Sequence, residues 1–304
     1  MGHTALFSNL LGEIAGLRTY LADKPEESPE AALRALWFLA AGECRAVECC
    51  LEGELPPLSE ASMRCLRALV YAHIQGMPLA HLTGRQSFMG IEMLAGSEAL
   101  IPRKETEILG YAALDLLREN SAKNGSTTVI DLCTGCGNLA LALAHHEPAC
   151  RVSAADLCPN AVDLAQRNAA HLGLEDRVAF STGDLFAPFD HERFTGRVDM
   201  VVCNPPYISS QRVDEMPSEV SDYEPRLAFD GGAFGVSIVV RLISEAPRYL
   251  KPGGWLCFEV GLGQGELIRR RLERNGAYDA IEARADAGGN VRALLARVKE
   301  RVSE

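Results

Sequence analysis

The chain has 304 residues, 47% hydrophobic and 23% charged, enough for two compact parts or for a large α/β unit with a helical appendage. That composition excludes disorder or a fibrous repeat as the dominant state. Thirty Lys and Arg face 41 Asp and Glu, a net charge of −11, which argues against a basic face that binds nucleic acid by neutralising phosphates.

In chain order, Leu6, Leu10, Leu11, Ile14 and Leu17 recur at helical spacing. Ser28-Pro29 then offers an N-cap and a first-turn proline before a second helix over 31–41, and a third is predicted over 60–75, stopped by Gly76 and Pro78. Residues 1–77 are therefore read as an N-terminal helical domain. Over 78–105 the pattern changes to Gly, Pro and short β-like pieces such as Phe88-Met89-Gly90-Ile91 and Leu100-Ile101-Pro102, which predicts a β-hairpin linker rather than another helix. From 106 to 304, β-branched runs at 127–132, 151–157, 177–182, 198–203 and 254–260 alternate with helical patterns such as 160–172 and 237–250. That alternation predicts an α/β fold with a mostly parallel sheet covered on both faces, and the runs at 280–285 and 291–298 are close enough to form an antiparallel edge pair.

The stretch from Val129 to Ala140 reads as a strand, the glycine-rich turn Asp131-Leu132-Cys133-Thr134-Gly135-Cys136-Gly137 and the opening of a helix, a nucleotide-binding βα turn. Asp156 ends the next strand, 19 residues beyond Gly137, where a carboxylate can accept hydrogen bonds from both ribose hydroxyls. NAD and S-adenosylmethionine (SAM) both fit this much. The third strand ends in Gly183-Asp184-Leu185-Phe186, an acid with apolar residues where Rossmann-like methyltransferases hold adenine, and this favours SAM; Asp184 could equally be a turn or capping aspartate. Cys133 and Cys136 form a CxxC, yet no second ligand pair accompanies it, and His145 and His146 have no spaced partners, so no metal site is expected. The ten cysteines show no disulfide spacing, and neither an 18-residue apolar stretch nor a leader is seen, so a cytoplasmic protein away from membranes is expected.

The fourth strand runs directly into Asn204-Pro205-Pro206-Tyr207. The prolines fix the backbone at the carboxyl edge of the sheet, where open α/β folds bind ligands. An amide nitrogen is a poor nucleophile because its lone pair is delocalised; two acceptors aimed at its N–H bonds would localise that pair. The Asn204 side-chain oxygen and the Pro205 carbonyl supply two acceptors, and Tyr207 can pack against a planar group.

The same tetrapeptide occurs in enzymes that resemble DNA adenine-N6 and cytosine-N4 methyltransferases, so the flanks decide. His81-Leu82-Thr83-Gly84, Ile101-Pro102-Arg103-Lys104-Glu105-Thr106-Glu107, the glycine loop, the tetrapeptide, Glu224-Pro225-Arg226-Leu227-Ala228, Glu259-x-Gly261-x-x-Gln264 and Asp286…Arg292 resemble the HemK/PrmC-type peptide chain release factor glutamine N5-methyltransferases. The resemblance implies a class I SAM-dependent methyltransferase fold, Rossmann-like, with seven strands ordered 3-2-1-4-5-7-6. It implies SAM as donor, S-adenosylhomocysteine as product, a release factor as partner and the helical region as its binding domain. DNA is not expected as a substrate, and a monomer is expected. Carried over, Asn204, Pro205, Pro206 and Tyr207 would hold the acceptor amide. Asp131, Cys133, Thr134, Gly135, Cys136, Gly137, Asp156, Leu157, Asp184, Leu185 and Asn204 would hold the cofactor. Phe88, Arg103, Glu105, Thr106 and Glu224 would lie on the substrate side or form a lid. Cys133 stands where the family usually has Gly, Cys136 where it has Ser or Thr, Lys104 where it has Pro and Phe234 where it has Asp, and Phe229-Asp230 also departs. These departures motivate a second reading, a relative that N-methylates a small molecule such as a free amino acid.

Overall fold

The computed structural model describes residues 3–20, 27–216, 223–232 and 234–300. Helix α1 (His3–Leu17) buries the stripe Leu6, Leu10 and Ile14 that its spacing dictates. Helix α2 (Pro29–Ala40) starts at Ser28, whose hydroxyl accepts from the Ala31 amide at 3.2 Å, and α3 (Glu60–Ile74) is capped in the same way by Ser59. The three helices share a core around Trp37, whose indole N–H donates to the Pro56 carbonyl at 2.8 Å. Leu79 joins that core from α4 (Leu79–Thr83), a single helical turn where the sequence predicted only linker, ended by Gly84 in the left-handed region.

The predicted hairpin follows as β1 (Arg85–Phe88) and β2 (Ile91–Leu94), joined at Met89 and Gly90, both at positive φ as a primed two-residue turn requires. Its tip is tied down by the Met89 amide donating to Glu107 at 2.8 Å and by His146 Nε2 lying 2.8 Å from the Met89 carbonyl oxygen. Glu92 on β2 accepts from the Ala46 amide at 2.7 Å. Lys104, the first residue of α5 (Lys104–Asn124), bridges Glu48 in the helical part and Glu107 on its own helix. The residue that departs from the family's proline is thus a charged tie between the first 50 residues and the rest of the chain.

The seven-stranded sheet comprises β3 (Thr127–Leu132), β4 (Cys150–Asp156), β5 (Val178–Thr182), β6 (Val198–Cys203), β7 (Leu250–Glu259), β8 (Tyr278–Ala285) and β9 (Val291–Val298). Its order is β5-β4-β3-β6-β7-β9-β8, the 3-2-1-4-5-7-6 arrangement; β3 to β7 are parallel and β9 runs antiparallel between β7 and β8. Alternate strand residues feed two cores. Val129, Met200 and Val202 face α5, α6 (Asn138–His146) and α7 (Pro159–Leu172), whereas Ile130, Val201 and Cys203 face α9 (Ser237–Glu245) and α10 (Gly265–Asn275). Between α7 and α9 lies the short helix α8 (Ser210–Val213). Two boundaries differ from the sequence reading. Helix α9 gives way to a 3-10 turn at Ala246–Arg248, where Pro247 lacks the amide that would continue the ladder. Strand β7 starts at Leu250, ahead of the expected 254, because its Lys251-Pro252-Gly253 stretch is absorbed by a register shift against β6.

Candidate active site

Strand order reverses at β3, flanked by β4 and β6, so the loops leaving these strands open a crevice at the carboxyl edge of the sheet. The loop after β3 is wound tightly by left-handed residues at Cys133, Gly135 and Gly137. At Gly137 a Cβ would lie 3.1 Å from both Leu141 and Phe180 and 3.2 Å from Ala165, so the loop packs directly on α6, β5 and α7. At Gly135 a Cβ would meet nothing within 4 Å, since this residue forms part of the crevice wall.

The two acids of the loop do different work. Asp156 ends β4; its Oδ2 accepts from the Gly135 amide and its Oδ1 from the Cys158 amide, each at 2.9 Å, and burial raises its pKa despite those bonds. Asp131 is fully buried under the loop, with Oδ2 accepting from the Thr134 hydroxyl at 2.5 Å and the Ala140 amide at 3.2 Å. Burial pushes its carboxyl up to about 7.

Cys133, Thr134, Gly135 and Asp156 line the main chamber, and Leu157, Asp184, Leu185 and Asn204 complete the set expected to face it. Asp184 also pairs with Arg241 through two contacts of 2.9 and 3.1 Å, so it takes part in both the wall and a surface ion pair. Asp131, Cys136 and Gly137 do not reach the wall. Cys136 is 1% exposed and packs against Ala99, Ala161 and Leu164, so these three residues shape the loop from below. Leu100, Pro102, Leu227 and Ile238 contribute apolar wall that the sequence reading did not pick out.

A second chamber is lined by Glu105, Pro205, Tyr207 and Phe229 and shares Leu100, Arg103 and Asn204 with the first. Asn204 therefore stands where the two meet, while Pro206 lines the first. The segment of Leu100 and Arg103, which lines both, is fastened by Glu224: Arg103 donates to its Oε1 at 2.5 Å and the Ile101 amide to its Oε2 at 2.8 Å, with both charged side chains buried. Phe88 corrects the expectation of a substrate-side residue. It is fully buried among Leu109, Ala113 and Leu117 of α5 and lines neither chamber, because Gln86 and Phe88 alternate onto the inner face of β1.

Behind the tetrapeptide lies a polar cluster that joins Thr106 and Tyr207 to Glu259, Gln264 and Arg292, three motif residues whose place the sequence did not reveal. Glu259, at the end of β7, is fully buried; Thr106 donates to its Oε2 at 2.6 Å, Tyr207 donates to its Oε1 at 3.1 Å, and Arg292 Nη2 lies 3.5 Å away. Asn204 Nδ2 in turn donates to the Thr106 hydroxyl oxygen at 3.2 Å. Burial pushes the Glu259 carboxyl up to about 7, against the pull of these donors, and burial beside Glu259 pushes the Tyr207 phenol well up. Gln264 joins three loops, accepting from the Gly261 amide at 3.0 Å and donating to the Tyr207 carbonyl at 3.0 Å and the Gly235 carbonyl at 3.4 Å.

The residues present fit SAM: an acid at the end of β4, a glycine with open space beside it, and apolar side chains of Leu157, Leu185 and Ile238 along the wall. With the 3-2-1-4-5-7-6 sheet, this chamber defines a class I SAM-dependent methyltransferase. The family model described as the methyltransferase small domain matches residues 112–219. The hMettl16 catalytic domain shares the fold, with a TM-score of 0.53 at 14% identity, over 78% of this chain and 83% of that one. The release factor glutamine methyltransferase of Geobacter sulfurreducens is 35% identical over 92% of this chain and 94% of its own length. That of Escherichia coli is also 35% identical, over 79% and 82%. The chain belongs to the release factor glutamine methyltransferase family.

Proposed function

We propose that the protein transfers the methyl group of SAM to the side-chain amide nitrogen of a glutamine in a peptide chain release factor, leaving S-adenosylhomocysteine. The observation that carries this reading is the position of Asn204 at the junction of the chamber beside the glycine loop and Asp156 and a second one walled by Pro205 and Tyr207. Bound SAM supplies an electrophilic sulfonium methyl. The protein supplies position and dipoles: Asn204 Oδ1 and the Pro205 carbonyl accept the two amide hydrogens, Tyr207 packs on the amide plane, and the segment at Arg103 keeps water out. No strong base is needed before attack, and the proton is released after the nitrogen has gained its methyl group.

In this reading residues 1–77 grip the release factor, 78–105 link, and 106–304 carry out the transfer. The enzyme works as a cytoplasmic monomer, off DNA. The net charge of −11 supports the last point, and among the described residues no helix is long and apolar enough to cross a membrane. The test is mass spectrometry after incubation with SAM and either purified release factor or a mixture of free amino acids and amides. A one-methyl gain on a release-factor glutamine, lost in Asn204→Ala, is expected. A gain on a small molecule alone would transfer the chemistry to a different acceptor.

A further inference from the structure

The Asn204 side chain can serve as an acceptor in only one of two nearly isosteric orientations. With Oδ1 toward the second chamber it accepts an N–H; flipped, it presents its own N–H bonds to another donor. Shape alone does not choose between these, so a neighbour must. That neighbour is Thr106 Oγ1, 3.2 Å from Asn204 Nδ2. A hydroxyl both donates and accepts, so it imposes an orientation only if its own proton is already committed. Glu259 commits it: Oε2 takes the Thr106 proton at 2.6 Å, while Oε1 faces two other donors, the Tyr207 phenol and the Arg292 guanidinium. With its proton turned toward Glu259, Thr106 has only lone pairs left for Asn204, and the amide must offer its NH2 end to them. Oδ1 is then left for the substrate.

We propose that Glu259 is a positioning residue that acts through Thr106 to fix the Asn204 amide with its oxygen toward the acceptor. The inference rests on the reading of Asn204 given above. Glu259 touches no reacting atom; it sets the polarity of a two-bond relay. The same carboxylate orients the Tyr207 phenol, so one buried group aligns both side-chain members of the tetrapeptide.

The experiment uses the full chain with release factor and SAM, assayed above pH about 8, where the Glu259 carboxylate is ionised. Thr106→Val keeps the shape and removes the hydroxyl; Thr106→Ser keeps the hydroxyl. Thr106→Val is expected to lower kcat at least about tenfold, the equivalent of one misdirected hydrogen bond, with KM for the release factor and Kd for SAM within about twofold of wild type. Thr106→Ser restores kcat. Glu259→Gln lowers kcat to a similar degree, and the double variant Thr106→Val/Glu259→Gln is no slower than the worse single variant, because both break one relay. Full kcat in Thr106→Val, failure of Thr106→Ser to rescue, full kcat in Glu259→Gln, or multiplied losses in the double variant would each overturn the proposal. Should Glu259→Gln not fold, the Val and Ser pair at 106 decides alone. Asn204→Ala separates the two levels. Full turnover in that variant removes the reading of the site itself, whereas an inactive Asn204→Ala beside an unimpaired Thr106→Val removes only the relay.

Discussion

Replacing Glu224 by Ala tests whether the segment lining the two chambers is held by one buried ion pair. Glu224 accepts from Arg103 at 2.5 Å and from the Ile101 amide at 2.8 Å, and the side chains of Glu224 and Arg103 are only 1% and 7% exposed. Removing the carboxylate leaves a guanidinium in a buried setting and strands a backbone donor. Breaking such a pair from one side costs about 3–5 kcal/mol, and the stranded amide alone accounts for about 1–3 kcal/mol of the same loss. Against a typical folding stability of about 5–15 kcal/mol this is a large fraction. The assay is urea denaturation followed by the fluorescence of the two tryptophans, Trp37 in the helical core and Trp255 on the sheet. The companion is Arg103→Met/Glu224→Leu, which removes both charges and fills the space with carbon; it should recover the share of the loss that comes from the buried charge, while the Ile101 amide stays stranded. A Glu224→Ala variant within about 1 kcal/mol of wild type, or a double variant as unstable as the single one, would refute the reasoning.

Three further outcomes are expected. Asp156→Ala should weaken SAM binding about tenfold to a hundredfold in calorimetry, because it removes the proposed ribose acceptors and frees the Gly135 amide; an unchanged Kd would exclude Asp156 from the cofactor site. Gly137→Ala should lower stability by about 2–4 kcal/mol, combining a left-handed backbone with a Cβ crowded at 3.1 Å, and a thermal melt matching wild type would contradict the packing described. The third outcome concerns pH. The Glu259 carboxyl is lifted from an ordinary 4.5 to about 7 in the folded state, so between those values the unfolded chain has lost a proton that the folded chain keeps, and stability falls as pH rises. Glu259→Gln lacks that proton. Its stability relative to wild type should therefore climb by about 3 kcal/mol from pH 4.5 to 7, and a difference that stays flat over this window would show that the carboxyl is not displaced.

The parts legible from sequence were those whose chemistry is contiguous. The glycine loop and the tetrapeptide each carry their geometry within a few residues, so strand, turn and helix start could be placed by backbone rules alone. The alternation of β-branched and helical runs likewise gave a parallel sheet, although its strand order came from the resemblance. The polar cluster behind Tyr207 was not legible in the same way. Glu259, Arg292 and Thr106 meet only because β7 and β9 pair and α5 crosses them, with the Val260 amide donating to the Arg292 carbonyl at 2.9 Å. In a sequence, a buried carboxylate looks like any other. Phe88 failed for a related reason: on a four-residue strand a change of one position reverses the face, and what fixes the face is the packing of α5. Asp184 lines the chamber as one of its readings expected, and it also pairs with Arg241, a contact that neither reading foresaw.

The wall behind Tyr207 and the seam to the helical region are fastened by different kinds of bond. Gln264 holds its three loops through an uncharged amide, whereas Lys104 reaches Glu48 as one ion to another. Ionic strength acts on the second and hardly on the first. A rise in salt would weaken the Lys104–Glu48 tie and leave the Gln264 bonds almost unchanged.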